Sequence, residues 1–503
     1  MASGLREHLV AYFEEHHKLV EAGALRLLLD FPQPLVLSRD VVERAEEDSP
    51  FVTEAMVRTA IEERTVSRAA RRPVPTSSGP AGAPAEALPD FAVVREGFAG
   101  PPPAGPPLAG YSRLFGARFR DLSRLLRGRS TLVNPRSIRD LRGAEGTASV
   151  LGMVRQVRET SVSHHTIVTL DDETASLDVL VLKGSPALKV PFVLDEVVGV
   201  KLRLGRDRDR LPLVQSIERP DVAVTRNVGR SDRTRRAILL SDLHVGSRAF
   251  LAEEWSCLAE FLAGRGQNPE LARSIDFAVI AGDLVDGIGI YPRQERDVAI
   301  SDVVEQYAEL GRRLRELPER LTIVAVPGNH DAVSPAEPQP PLPPNLAKPL
   351  PPNVRLLANP STFSLGGVVV AAYHGRGFDD LIPAIPNASY SRPTEVMRRM
   401  LQMRHLAPIY GNRTPLAPAV RDGLIIDPVP DIFVTGHLHT YGVDRYRDVL
   451  LVNASTWQGE TQYQRMRNIT PAPCRAAIVD LRSLETLTLD CSSRRAALSG
   501  SAA

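Results

Sequence analysis

Six apolar runs of buried-strand length recur between residues 233 and 490, and each of the first five leads into a polar cluster. The runs cover 237–240, 277–280, 321–326, 368–373, 432–434 and 449–452. The clusters are Ser241-Asp242-Leu243-His244, Gly282-Asp283-Leu284-Val285-Asp286, Gly328-Asn329-His330-Asp331, His374-Gly375 and Gly436-His437-Leu438-His439. Five of the 11 histidines fall inside them, far more than random placement gives. Helical periodicity fills the intervals at 253–262, 303–314 and 394–403. Strand, polar turn and helix in alternation predict an α/β domain with its site assembled at the strand ends.

The residue types in the clusters point to one chemistry. A phosphodiester is an anion and repels hydroxide. Two divalent metals neutralise it, lower the pKa of a bound water and orient that water for in-line attack. Such a pair needs a shared carboxylate with imidazole and oxygen ligands on each ion. Period-two alternation predicts that Asp242 and His244 point to one side, as do His437 and His439. Gly before Asp283, Asn329 and His437 permits tight turns and close backbone approach. A lone Asp-x-His is ordinary turn chemistry, and a lone Gly-His-x-His is only suggestive. All five clusters in order, each after a strand, make chance a poor account.

Upstream of this domain the pattern changes three times. Residues 1–70 carry helical spacing (Leu5, Leu9, Tyr12, Phe13; then 22–29 and 49–64) and predict a small helical domain. Residues 71–110 are rich in Pro, Ala and Gly and predict an extended linker. Residues 111–145 form a basic, partly aromatic helical segment, read either as a phosphate-contacting patch or as an amphipathic helix with solvated Arg. Five short β-branched runs follow within 146–222, separated by turn clusters. They predict a small barrel, with the OB-fold the leading candidate. Such barrels often bind single strands through aromatic platforms. Phe192 is the only aromatic between 146 and 219, so docking of another subunit is at least as strong an expectation. The α/β domain spans 233–490, and 491–503 reads as a flexible tail.

Bulk properties set outer limits. The 503 residues suit about three domains. A hydrophobic fraction of 43% and a charged fraction of 24% are those of a globular protein. No apolar run approaches the ~20 residues a membrane crossing needs. The first residues, MASGLREHLVAYFEEHH, lack the apolar core of a secretory leader, so a cytoplasmic setting is expected. Three widely spaced cysteines argue against a disulfide framework. A net charge of +1 means that any nucleic-acid binding must come from local patches.

The cluster order resembles that of calcineurin-like metallophosphoesterases, which implies a two-sheet sandwich flanked by helices. It also implies roles. Asp242, His244 and His439 would hold one metal, Asn329, His374 and His437 the other, with Asp283 bridging. His330 would act on the scissile phosphate as general acid or charge stabiliser, oriented by hydrogen bonding to Asp331. Arg376 is a candidate phosphate contact. Segment 335–352 is either a lid or a spacer. The longer strings ILLSDLHVGS, GDLVDGIGIYP, PGNHDAVSPAEPQP, YHGRGFDD, VTGHLHTYG and NASTWQGETQYQ closely resemble the small subunits of archaeal D-family DNA polymerases.

That resemblance implies a proofreading 3′→5′ exonuclease subunit. It would use two divalent ions, manganese or magnesium foremost, with iron or zinc also suited. Its partners would be a large polymerase subunit, DNA 3′ ends and single strands, and the sliding clamp through the complex. A non-catalytic scaffold subunit and a stand-alone phosphodiesterase are the alternatives. A scaffold should have lost a ligand, and all seven ligand positions are filled. The OB-like barrel and the linker do nothing for turnover of a small nucleotide.

Overall fold

The computed structural model describes residues 90–100, 106–205, 210–461, 464–465 and 470–500, together with scattered positions among the first 59. Two compact units result, residues 1–86 and 87–503. In the larger unit the strands are β1 (Phe91–Glu96), β2 (Gly146–Glu159), β3 (Thr166–Asp171), β4 (Ser176–Val181), β5 (Val197–Leu204), β6 (Leu213–Glu218), β7 (Arg236–Leu240), β8 (Ile275–Ala281) and β9 (Thr322–Val326). They continue with β10 (Val354–Leu356), β11 (Ser361–Leu365), β12 (Val368–Tyr373), β13 (Ile432–Thr435), β14 (Tyr441–Tyr446), β15 (Val449–Ala454), β16 (Arg475–Asp480), β17 (Thr486–Asp490) and β18 (Ala497–Gly500). The main helices are α1 (Pro107–Arg127), α2 (Ala252–Leu262), α3 (Val303–Arg315), α4 (Phe378–Ala384) and α5 (Pro393–Met403).

Two mixed sheets face each other. One has the order β10-β9-β8-β7-β16-β17-β18, the other β14-β15-β13-β12-β11-β1. β7 to β10 run parallel, as do β12, β13 and β15. Parallel strands covered on both faces are apolar throughout rather than alternating, and Ile275–Ala281 and Val449–Ala454 show it. Leu239, Val279, Val324, Phe363, Val370 and Val452 fill the space between the sheets. Outside, α2 and α3 cover the first sheet through Trp255, Leu258, Tyr307 and Leu310. α4 and α5 cover the second through Phe378, Met397 and Met400. Asp302 caps α3, its carboxylate accepting from the Val304 and Glu305 amides. Each of the six expected strands and three expected helices of this domain is present, within a few residues of its expected ends.

β2 to β6 close a barrel in the order β2-β3-β4-β6-β5 around Val150, Val168, Val179 and Val200. α1 ties this barrel to the sandwich. Its Leu122 and Leu126 pack with Leu132, Val197 and Ile425. Arg118 on α1 is neither a phosphate contact nor a solvated charge. It is fully buried, with Nε 2.6 Å from Asp422 Oδ2 and Nη1 donating to the Pro408 carbonyl.

Two expectations need correction. Residues 71–110 are not all linker, because β1 pairs antiparallel with β11 and α1 begins at Pro107. The outer strand of a sheet supplies ladder bonds and an apolar face that offset the entropy of ordering a Pro-rich stretch. Residues 491–503 are not all tail, because β18 pairs antiparallel with β17. In the smaller unit, Ala22–Asp30 is helical as expected, and Leu19–Val20 pairs in parallel with Phe51–Val52, which a purely helical reading lacked. Leu9, Phe13, Leu25, Leu28 and Val52 form its core. Leu9, Tyr12, Phe13 and positions 54–57 and 59 are helical too, and the remainder of the helical expectation for 1–70 lies largely outside the described residues. Among the described residues no helix is long and apolar enough to cross a membrane.

Candidate metal centre

All five clusters meet at one end of the sandwich. Asp242 and His244 follow β7, Asp283 follows β8, Asn329 and His330 follow β9, His374 follows β12, and His437 and His439 follow β13. Strand alternation is not what aligns Asp242 with His244, or His437 with His439, since both strands have already ended. Instead Asp242, His244, Asp283, His437 and His439 all adopt left-handed backbone, at φ of 52°, 50°, 49°, 69° and 56°. Such backbone costs a non-glycine residue about 1–2 kcal/mol. Neighbouring loops hold it in place. The Asp242 amide donates to the Gly282 carbonyl and the His244 amide to the Asp283 carbonyl, both at 3.0 Å.

The glycines are needed for space. A Cβ on Gly328 would lie 2.2 Å from Asp283 Oδ1, and one on Gly436 would lie 2.2 Å from Asp242 Oδ2.

The donor atoms form two groups that share a carboxylate. In the first, His439 Nε2 lies 3.2 Å from Asp242 Oδ1 and 3.0 Å from His244 Nε2. In the second, His374 Nε2 lies 3.0 Å from Asn329 Oδ1 and 3.3 Å from His437 Nδ1. Asp283 Oδ2 stands between them, 3.3 Å from His374 Nε2 and 3.6 Å from His244 Nε2. Ligands bound at about 2.1 Å to one ion are about 3.0–3.4 Å apart. The donor set therefore fits two cations with Asp283 between them.

Each candidate donor imidazole also has a partner on its other nitrogen, which fixes ring orientation. His244 Nδ1 lies 3.1 Å from Asp286 Oδ1, and His437 Nε2 lies 3.2 Å from Asp379 Oδ2. The Gln464 side-chain amide is 2.7 Å from His439 Nδ1. His374 Nδ1 donates to the Ala281 carbonyl at 3.0 Å. Asp286 is itself held by Gln458 Nε2 at 3.0 Å. Asp286, Asp379, Gln458 and Gln464 stand inside the quoted strings, but spacing carries no sign of an outer-partner role.

His330 sits beside the donors without joining the Asp283–His374 group. Its Nδ1 is 2.7 Å from the Asp286 carbonyl, and its Nε2 is 4.0 Å from Asp283 Oδ2. Asp331 does not orient it. Burial and the charge of Asp283 push the Asp331 carboxyl up to about 6. Its oxygens accept instead from the amides of Gly328 and Leu284 and from the Tyr307 hydroxyl. Asp331 thus binds the loop after β9 to the loop after β8.

Segment 335–352 is a strut. Buried Gln339 donates to the Gly328 carbonyl, and its own Oε1 accepts from Asn359. Asn359 in turn accepts from the His374 amide at 2.9 Å.

A cleft of about 680 Å³ opens onto the donors, with Arg376, Arg413, Tyr291 and Tyr390 among its walls. Burial works against the charged forms here, yet the neighbouring histidines hold Asp242 and Asp283 well below the usual carboxylate range.

Residues 237–443 match the family of DNA polymerase alpha/epsilon B subunits. The chain is 41% identical to the DNA polymerase II small subunit of Archaeoglobus fulgidus, over 72% of this chain and 73% of that one. It is 39% identical to the protein of the same name from Methanothermobacter thermautotrophicus, over 71% and 74%. Among solved structures, Vacuolar Protein Sorting 29 from Cryptosporidium parvum aligns with 55% of this chain and 98% of its own, at 16% identity and a TM-score of 0.28. That last likeness is too slight to bear on fold or function.

Proposed function

Because this chain belongs to the family of archaeal DNA polymerase II small subunits, we propose that it is the small subunit of a two-subunit replicative polymerase and carries its 3′→5′ exonuclease. The observation that carries the nuclease reading is the donor geometry: Asp242, His244 and His439 in one group and Asp283, His374 and His437 in another, with Asp283 3.6 Å from His244 of the first. DNA synthesis belongs to the complex with the large subunit. The sandwich is then a calcineurin-like phosphoesterase domain.

Asp242, His244 and His439 would hold one divalent ion with Asp283, and Asn329, His374 and His437 the other. Manganese or magnesium suits the activity best, and iron and zinc also suit the donors. Bound ions supply neutralisation of the phosphodiester and an activated water.

The chain's own residues do the rest. The Asp286 carbonyl can only accept, so the proton it faces is fixed on His330 Nδ1, and Nε2 is left facing the cleft. Burial lowers the His330 pKa, so the free imidazole is neutral near pH 7. A phosphate in the cleft favours the protonated ring, which then gives its Nε2 proton to the departing 3′ oxygen. Arg376 offers its guanidinium to a non-bridging phosphate oxygen.

The barrel is read as an OB-fold. Its strand order and the parallel contact between β4 and β6 support this. Phe192 packs against the barrel core under the Arg219 guanidinium, so it is not a free stacking platform. That favours docking of the large subunit over base stacking.

The test is a nuclease assay on the two-subunit complex with 3′-mismatched primers, and the sliding clamp added in a second series. Wild type should release nucleotides only with metal, and Asp283→Ala and His330→Ala should not. Metal-independent release, or full activity in both variants, would remove the nuclease reading and leave the scaffold one.

A further inference from the structure

Arg413 lines the same cleft as the donors and Arg376, and a buried staple ties together the backbone segments that bear the two arginines. Asp380, only 2% exposed, accepts from the Arg413 amide and the Thr414 amide, each at 2.9 Å. The Thr414 hydroxyl then donates to the Arg376 carbonyl at 3.1 Å. The loop bearing Arg413 is thereby fixed to α4, which also carries Asp379, the outer partner of His437. Among the described residues neither guanidinium has a carboxylate within ion-pairing distance. Asp379, in the same cleft, feels both charges, but one carboxylate already bonded to His437 leaves a positive surplus beside the candidate metal centre, more than one phosphate requires. In the function proposed above, bound ions and Arg376 would already serve the scissile phosphate. A nucleic-acid strand brings a further negative charge with every nucleotide, and guanidinium matches phosphate oxygens two at a time.

We propose that Arg413 binds the phosphate next to the scissile one, so that the site is built for a strand with at least two phosphates rather than a small diester. This rests on the phosphoesterase reading above.

The test compares the full chain, alone and with the large subunit, against Arg413→Gln and Arg413→Lys. Three probes are used: bis(p-nitrophenyl) phosphate, a single-stranded DNA oligomer, and that oligomer with a neutral methylphosphonate at the linkage next to the scissile one. Rates give the ratio of kcat/KM for the oligomer to that for the small diester. Anisotropy of the labelled oligomers gives binding independently of turnover.

Arg413→Gln should lower the oligomer-to-diester ratio at least about tenfold, the scale of a hydrogen bond between charged partners. Arg413→Lys should recover part of the loss. In wild type the methylphosphonate should weaken binding by a similar factor, and in Arg413→Gln it should add little further loss. Equal losses on oligomer and diester, or equal methylphosphonate effects in wild type and Arg413→Gln, would overturn the assignment. If nothing is hydrolysed the nuclease reading fails, while the binding comparison still decides the role of Arg413.

Discussion

Nε2 of His244 and Nε2 of His439 face each other across 3.0 Å, both rings buried. Two nitrogen lone pairs cannot sit so close unless a proton or a cation lies between them. Burial alone would lower the His244 pKa, but Asp242 and Asp286 override it and raise it to about 10. His374 is raised to about 9 against the same burial, chiefly by Asp283. Without ions, protons take the place of metal.

The sign of the pH dependence follows. Both folded pKa values lie above the ordinary histidine value, so the ion-free fold is favoured most below about pH 6.5. That contribution disappears as pH rises through about 9 and 10. The melting temperature of chelator-treated protein should therefore fall between pH 7 and 10. Metal binding near pH 7.5 should release about two protons, a number that shrinks toward pH 10. Calorimetry in buffers of different ionisation enthalpy counts them. Binding with no proton release at pH 7.5 would contradict this picture of the ion-free site.

Asp286 holds the His244 ring through Nδ1. Loss of such an outer partner usually costs about 10–100-fold in metal affinity. Asp286→Asn keeps the volume and a hydrogen-bonding group but removes the charge. Its affinity for manganese should fall by about that factor, with little change in the far-ultraviolet spectrum. Unchanged affinity would mean that ring orientation is set elsewhere.

That the seven candidate donors converge was legible in the sequence because each follows an apolar run, and chain order along the strands brings those ends together. Asp286, Asp379 and Gln464 were not, since a partner role depends on which ring nitrogen faces the ion. β1 was missed for another reason. FAVVRE reads as a strand by itself, but it lies in a Pro-rich stretch, and its partner β11 begins 265 positions after its end.

Asp331 gives a sharper case. The cluster spelling places it beside His330, yet its carboxylate holds the Gly328 and Leu284 amides and the Tyr307 hydroxyl. Tyr307→Phe removes two hydrogen bonds, the one donated to Asp331 at 2.9 Å and the one accepted from the Ala332 amide at 3.0 Å, and should cost about 1–3 kcal/mol of stability. Asp331→Asn should weaken metal retention by loosening both loops. It should leave the pH of half-maximal rate assigned to His330 in place. A shift of that limb, with metal retention intact, would restore the orienting role.

The barrel and the sandwich are joined by a buried ion cluster. Glu196, immediately before β5, lies 3.0 Å from Arg219 Nε and 2.9 Å from Arg399 Nη2 of α5. Burial would raise the Glu196 pKa, but the two guanidinium groups hold it below the usual carboxylate range. Its contribution is therefore present above the ordinary glutamate pKa and is lost as pH falls through the lowered value. Glu196→Ala strands two cations out of water, which costs about 3–5 kcal/mol for a broken buried pair. The exposed pair Arg120–Glu173 is the control, worth less than about 1 kcal/mol. Denaturant melts of the full chain should show the large loss for Glu196→Ala and almost none for Glu173→Ala. If the barrel is fastened mainly here, calorimetry of Glu196→Ala should also split one unfolding transition into two. A small, unsplit change would instead place the fastening on α1, with its buried Arg118–Asp422 pair and the apolar contacts of Leu122 and Leu126.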